Sequence, residues 1–491
     1  MGPVALSDSD PYPRTRPAMR HISTLMTLFG VILLPVIASA QELDAPVRYD
    51  DDFLSGDFHR SRRAAVLEQL PENGLAVFFS APMRNRSNDV DYEYRQSSDF
   101  LYLTGSHEPG SALVLAPGGI EVDGMRSTEV LFVPPRDPSQ EVWLGRRFGA
   151  DRAAERLGVS VAVDATRFSA LVVPLLTTKS YQVYHLDFPD AMPNESDLTT
   201  LLTAFIENVD RVPASDGGTR DGSTLRGVLD ELRTIKTDEE MRLLRRAIDI
   251  TAEAHREVMT KVEAGWAEYE MEALIEFTFM KNGAESPGFP SIVGSGENSV
   301  ILHYNTNRRR TQSGDVVVID IGAEVHGYTA DVTRTIPVNG TFSAEQRAIY
   351  SLVYAAQEAG IEAARSGNGF REPNDRATRV LAEGMAELGL INSPMDQRGL
   401  RRFFMHGTSH YLGLDVHDVG TGGPLEPGTV ITVEPGLYIP AAEDIDPKWW
   451  NIGVRIEDDI LVTDGDPIIL SASAPRHPDD VEALMRERPI S

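Results

Sequence analysis

Short apolar runs bounded by glycine, proline or polar clusters alternate along this chain with longer stretches of helical spacing. In the first part, residues 75–79, 112–115, 130–133 and 183–186 have the look of buried strands. Residues 58–70, 151–157 and 198–209 read as helices between them. A cluster of turn formers at 213–224 (PASDGGTRDGST) marks a joint. The second part opens on Thr237 with Glu240 three residues later, the pairing of a capping box. Met241, Leu244, Ile248 and Val258 follow at helical spacing. Ser343 and Gln346 repeat the signal ahead of Ile349, Leu352, Val353 and Ala356. A third helix is expected at about 374–388, ended by Gly389. Strands are predicted at 316–321, 332–336, 430–433 and 454–462. The expectation is an α+β chain with a smaller α/β domain at 53–225 and a larger one at 226–491.

Ahead of both domains, Arg14, Arg16, Arg20 and His21 precede an apolar run at 25–38, and Ala38-Ser39-Ala40 follows it. This is the layout of a cleavable secretory signal, with Met19 as an alternative start. Residues 1–40 are assigned to it and the acidic stretch 41–52 to a linker. The expected location is secreted or periplasmic, with no stable membrane span after cleavage. The chain carries 46 Lys+Arg against 74 Asp+Glu, a formal charge of −28, which disfavours nucleic acid and anionic lipid as partners. It has no cysteine, which excludes disulfides, thiolate nucleophiles and Cys-ligated zinc.

That excess of acid has a local pattern. In the 316–321 run, Val316, Val318 and Asp320 share one face, and an ionised Asp on a buried face is costly unless something positive meets it. A hairpin through Gly327-Tyr328 could bring Asp331 beside Asp320, although Asp331 alone reads equally well as the cap of a turn. Val430, Thr432 and Glu434 share a face of a strand that ends at Pro435. Arg455, Glu457 and Asp459 share a face in RIEDD, where Arg455 pairing with either acid explains the segment equally well. His406, His410 and His417 crowd one stretch, and His303 follows the polar loop GSGEN at 294–298. The His406–His410 spacing is that of a HExxH pair, but Gly407 stands where the glutamate would be. Four carboxylates clustered without cations would take up protons, and two divalent cations would keep them ionised. Oxygen-rich ligands with one imidazole favour manganese, with cobalt, iron or zinc as alternatives.

With these motifs in view the chain resembles aminopeptidase P, the Xaa-Pro aminopeptidase of the pita-bread metallopeptidases. FHRSRRAAVLEQL (58–70), YRQSSDFLYLTG (94–105) and EVWLGRR (141–147) look like that family's N-terminal domain. GSGEN, ILHY (301–304), MHGTSHYLGLDVHD (405–418), TVEPG (432–436) and RIEDD (455–459) look like its catalytic domain. The resemblance implies a C-terminal pita-bread catalytic domain and removal of the first residue from peptides with proline second. It implies two divalent metal ions per subunit on Asp320, Asp331, His410, Glu434 and Glu457. His303, His406 and His417 would line the substrate pocket, Glu434 would also shuttle a proton, and Arg455 would hold Glu457. It implies a homodimer or homotetramer, with Trp143 in a segment that can reach a neighbour's site. A prolidase on the same fold, or a non-catalytic peptide-binding relative, are the competing readings. The basic run NTNRRR (305–310) after His303 is unusual for the pattern and bears on peptide-length preference.

Overall fold

The computed structural model describes residues 50–178, 180–188, 196–209 and 222–487. The signal segment, most of the 41–52 stretch and the turn cluster up to residue 221 lie outside the described residues. Gly222 opens a helix that runs to Thr234.

In the first part, five strands form a mixed sheet in the order Ala162–Asp164, Met125–Val133, Ala112–Val122, Gly74–Phe79, Gln182–His185. Strand alternation gives this sheet two distinct faces. Leu75 and Val77 pack into a core with Val114, Phe132, Phe168 and Phe205. Ala76 and Phe78 point the other way, into a core continuous with Leu101, Met241, Leu244 and Ile248. The sheet therefore docks through one face onto the second part. Hydrogen bonds fasten the dock: Tyr102 Oη donates to the Leu232 carbonyl at 2.9 Å, and Ser55 donates to both carboxylate oxygens of Glu239.

The second part holds short antiparallel ladders with helices packed on them. Both capping boxes form: Thr237 opens Asp238–Lys261, and Ser343 opens Ala344–Ala363. Glu240 then does a second job, because its other oxygen accepts from Tyr328 Oη at 3.1 Å. The third helix is Glu372–Glu387, and Gly389 takes the left-handed conformation just beyond it.

The strand expected across 454–462 is two strands. Ile452–Arg455 pairs with Gly436–Ile439, and Asp458–Leu461 pairs with Val430–Val433. Both ladders break at one level, between Val433 and Gly436 on one side and between Arg455 and Asp458 on the other. Pro435 is the reason, since it has no N–H to continue a ladder. The Glu434 N–H goes instead to the Thr408 carbonyl at 2.8 Å, and the Glu457 N–H to the Thr333 carbonyl at 3.1 Å. Arg455, Glu457 and Asp459 consequently do not lie on one continuous strand.

Candidate metal centre

Val316–Ile321 pairs antiparallel with Val332–Pro337, with Asp320 opposite Thr333 and Ile321 opposite Val332. The chain between them is itself a hairpin, Ala323–Val325 against Tyr328–Thr329. Its two-residue tip, His326-Gly327, has positive φ at both positions, as a type I′ turn demands. Gly322 is obligatory at its base, because a Cβ there would lie 1.8 Å from the Ala330 carbonyl oxygen. This excursion returns Asp331 beside Asp320.

The ladder break described above delivers Glu434 and Glu457 to the same place. His410 arrives on a non-strand segment held against the Val430–Val433 strand: its N–H donates to Thr432 Oγ1 at 3.1 Å, and its carbonyl accepts from the Thr432 N–H at 3.0 Å. One ligand atom each of Asp331, His410 and Glu457 lie within 4.8 Å of one another. His410 Nε2 is 3.3 Å from Asp331 Oδ2 and 3.7 Å from Glu434 Oε1.

The hydrogen bonding around these groups is incomplete in a consistent way. Asp320 Oδ2 accepts from Arg455 Nη2 at 2.5 Å and Glu457 Oε2 from Thr333 Oγ1 at 2.6 Å, but Asp320 Oδ1, Asp331 Oδ1 and Glu457 Oε1 are buried without a partner. His410 Nδ1 donates to the Tyr411 carbonyl at 2.9 Å, which leaves Nε2, facing two carboxylates, as the ring nitrogen available to a metal ion. Carboxylate oxygens crowded into a buried pocket repel one another unless a cation lies among them. Asp320, Asp331, His410, Glu434 and Glu457 therefore suit divalent metal ions by donor type and by what they lack. Without such ions, burial and then the charges of Asp320, Asp459 and Glu434 push Asp331 well above the ordinary carboxylate range. Burial, followed by Asp331, Glu434 and Asp320, does the same to Glu457. Burial raises Glu434 to about 7 against the opposing pull of His410 and Arg455.

Around this centre stand the predicted histidines. His417 packs edge-on against His410 with ring centroids 4.4 Å apart, and His406 Nδ1 lies 3.6 Å from Glu434. His303 is exposed and acts electrostatically on both His406 and His417. Burial and then Arg455 push His406 down to about 4; burial, then His410 and His303, also lower His417. Both shifts favour the neutral form of His406 and His417. A cleft of about 1480 Å³ includes His417 in its lining, together with Tyr94 and Arg95 from the first part and Glu324 and Leu414 from the second.

Arg455 does more than, and something other than, hold Glu457. Its guanidinium bonds Asp320 directly, Thr333 Oγ1 at 3.0 Å and Tyr438 Oη at 2.9 Å. It reaches Glu457 only through the Thr333 hydroxyl, which accepts from Arg455 and donates to Glu457. Tyr438 Oη in turn meets His406 Nε2 at 2.8 Å. Thr333 and Tyr438 join the site without any motif to mark them. Thr333 carried a signal, since it lies two residues from Asp331 on a strand face that already held acids. Asp459 is fully buried beside these groups, with Oδ2 accepting from the Asp331 N–H at 3.3 Å and Oδ1 without a partner.

The second half of the NTNRRR run is engaged with partners other than these groups. Asn307 is buried and bridges Val293 to Ser291, Arg308 stacks on Tyr269, Arg309 pairs with Asp315 and Glu297, and Arg310 reaches Gly265 and Glu270. Trp143 is 83% exposed on the Pro138–Leu144 helix, which buries none of its residues.

Comparison with known proteins agrees with this geometry. The model of metallopeptidase family M24 matches residues 242–464, and that of the aminopeptidase P N-terminal domain matches 59–184. Xaa-Pro aminopeptidase of Escherichia coli (strain K12) is 41% identical over 442 residues, covering 87% of this chain and 97% of that protein. Xaa-Pro aminopeptidase 3 of Homo sapiens is 33% identical over 419 residues, covering 83% and 80%. The solved structure of E. coli aminopeptidase P with the inhibitor Pro-Leu is similar with a TM-score of 0.79 at 39% identity, covering 88% of this chain and 98% of that one.

Proposed function

The chain belongs to metallopeptidase family M24, in its aminopeptidase P branch, and from that premise we propose that it hydrolyses the bond between the first residue and a following proline in peptides. The observation that carries this reading is the set of buried, partnerless oxygens on Asp320, Asp331 and Glu457 beside Nε2 of His410. With Glu434 these residues would hold two divalent ions, and manganese suits the oxygen-rich donors. When bound, such ions activate water and polarise a carbonyl.

The chain's own residues supply the rest. Arg455 and Thr333 fix Asp320 and Glu457 in position, so the acids need no rearrangement to bind. Glu434, whose carboxylate lies beside His410 and His406, is placed for proton transfer to the departing proline nitrogen. His417, exposed beside His410, is placed to donate to an oxygen that gains charge on the peptide. His303 and His406 line the same approach. Proline has no N–H and a fixed φ, so recognition rests on shape rather than a backbone hydrogen bond. The cleft beyond His417 gives room for residues after the proline, which favours an aminopeptidase over a prolidase.

Two further readings belong to this proposal. The signal layout ahead of Gln41 supports a secreted or periplasmic enzyme. Val142, Trp143 and Leu144, all largely exposed on one short helix, support a contact with a second copy in a homodimer or homotetramer. The test is metal content measured beside hydrolysis of matched Xaa-Pro dipeptides and Xaa-Pro-Xaa tripeptides. Two ions per subunit with faster tripeptide cleavage is the expected result. Dipeptide cleavage alone would make the protein a prolidase, and no cleavage by the metal-loaded protein would overturn the reading.

A further inference from the structure

His417 sits in a loop that makes little regular structure. A single bridge from the Asp418 N–H to the Tyr411 carbonyl, 2.9 Å, closes it, and the Thr329 N–H meets the Gly413 carbonyl at 2.9 Å. What holds the loop is charge. Asp415 and Asp418 flank His417, and both are gripped by Arg233 at the end of the Gly222–Thr234 helix. Arg233 Nη2 is 2.7 Å from Asp415 Oδ2 and also bonds Asp418 Oδ1. Its other terminal nitrogen, Nη1, is 2.7 Å from Asp99 Oδ1 on the Ser98–Thr104 helix of the N-terminal domain. Buried Lys236 takes the second oxygen of Asp418 at 3.1 Å.

Arg233 is 2% exposed, so its guanidinium was taken out of water to make these three contacts. A helix that needed only capping or solubility would not bury an arginine there. The same loop is gripped a second time from the N-terminal domain: Ser98 Oγ donates to Asp415 Oδ1 at 2.7 Å, and Arg95 donates to the Leu414 carbonyl.

We propose that Arg233 is a positioning residue for His417, and that its bond to Asp99 makes the placement of His417 depend on the docked N-terminal domain. One planar guanidinium holds both flanks of the histidine and one residue of the neighbouring domain. Lysine carries the same charge but lacks the fork that serves three carboxylates at once. The inference rests on the aminopeptidase reading for its effect on turnover, but not for its effect on His417 itself.

The test uses the full-length enzyme, loaded with diamagnetic zinc for the resonances and with manganese for turnover, and the variants Arg233→Lys, Asp99→Asn and His417→Ala. The ring resonance of His417, identified by its loss in His417→Ala, should shift and broaden in Arg233→Lys and in Asp99→Asn. The resonance of His255, buried against the Val332 carbonyl, should not move. On an Xaa-Pro-Xaa tripeptide, Arg233→Lys should lower kcat about tenfold with metal content unchanged. The same change made on the His417→Ala background should alter kcat less than about twofold, because the group it positions is gone. An unmoved His417 resonance, or an equal loss of kcat on both backgrounds, overturns the proposal. If Arg233→Lys does not fold, Asp99→Asn carries both measurements. If the parent enzyme cleaves no tripeptide, the functional reading fails and the resonance alone decides the positioning role.

Discussion

Glu457 and Asp458 are adjacent, both buried and both acidic, yet their surroundings are opposite. Asp458 is fully matched. One oxygen accepts from Arg334 Nη2 at 2.6 Å and Ser471 Oγ at 2.5 Å, and the other from Gln357 Nε2 at 2.8 Å with Arg476 at 3.5 Å. Glu457 has one hydroxyl donor on one oxygen and none on the other, with Asp331, Glu434 and Asp320 for neighbours. The polypeptide supplies the cations for Asp458 and leaves them out for Glu457. Burial of acid does not distinguish a ligand site from a structural ion pair; what distinguishes it is whether the fold has already spent its own donors there.

The largest test of that contrast is Glu457→Ala. It should lower kcat/KM on an Xaa-Pro-Xaa peptide by at least about 10³-fold, roughly 4 kcal/mol of barrier, and reduce the metal content per subunit. Metal-free Glu457→Ala should be no less stable than the metal-free parent in a denaturant titration, because an unmatched acid has been removed. Parent-level metal binding in the variant would break the comparison. On the other side, Arg334→Met leaves Asp458 without its main cation. It should cost roughly 3–5 kcal/mol of folding stability, in the same denaturant titration, whether or not metal is bound.

Chelation sharpens the contrast from the solvent side. Stripping ions held at a free concentration 1,000 times their Kd should remove about 4 kcal/mol of apparent stability per ion. In the stripped protein, Glu434 holds a proton up to about 7, which the unfolded chain releases near the ordinary carboxylate value. The folded state then binds more protons, so stability should rise as pH falls through 7 and level off below the ordinary carboxylate range. The metal-loaded protein should lack this trend when melting temperatures are compared across pH.

The smallest effect concerns a second pair of acids, Asp52 and Glu285, whose cation is an imidazole. His326 Nδ1 meets Glu285 at 2.6 Å and Nε2 meets Asp52 at 2.8 Å; two acceptors on two ring nitrogens require both to be protonated. Burial lowers the His326 pKa, but these two bonds outweigh it and the net shift is upward. The staple is therefore complete below the ordinary histidine value and is lost as pH rises through the raised one. Its loss should cost about 1 kcal/mol, seen as earlier hydrogen exchange around Asp52 at alkaline pH. Arg246, which also bonds Asp52, should hold the remainder.

Much of this was readable from residue order. Asp320 announced itself as an acid inside a valine strand, the capping boxes at Thr237 and Ser343 formed as their spacing requires, and the five donor residues converge. What was not readable depends on pairing between distant segments. Strand alternation through 454–462 gave no warning that the strand changes partner, although Pro435 across the ladder is the cause. Arg455 looked local, beside Glu457, because sequence shows neighbours along the chain; its first partner, Asp320, is brought near only by the packed ladders. Arg233 carries no motif at all, and its importance comes from three carboxylates that converge from two domains.

The hairpin joining Asp320 to Asp331 has a consequence for how such a chain can vary. Its two arms are in fixed register, its base admits no side chain at Gly322, and its tip is tied by His326 to Asp52. Adding or deleting one residue there would rotate Asp331 by half a pleat and turn its carboxylate out of reach. The segment works as a gauge of set length, so evolution can repaint its surface but cannot resize it.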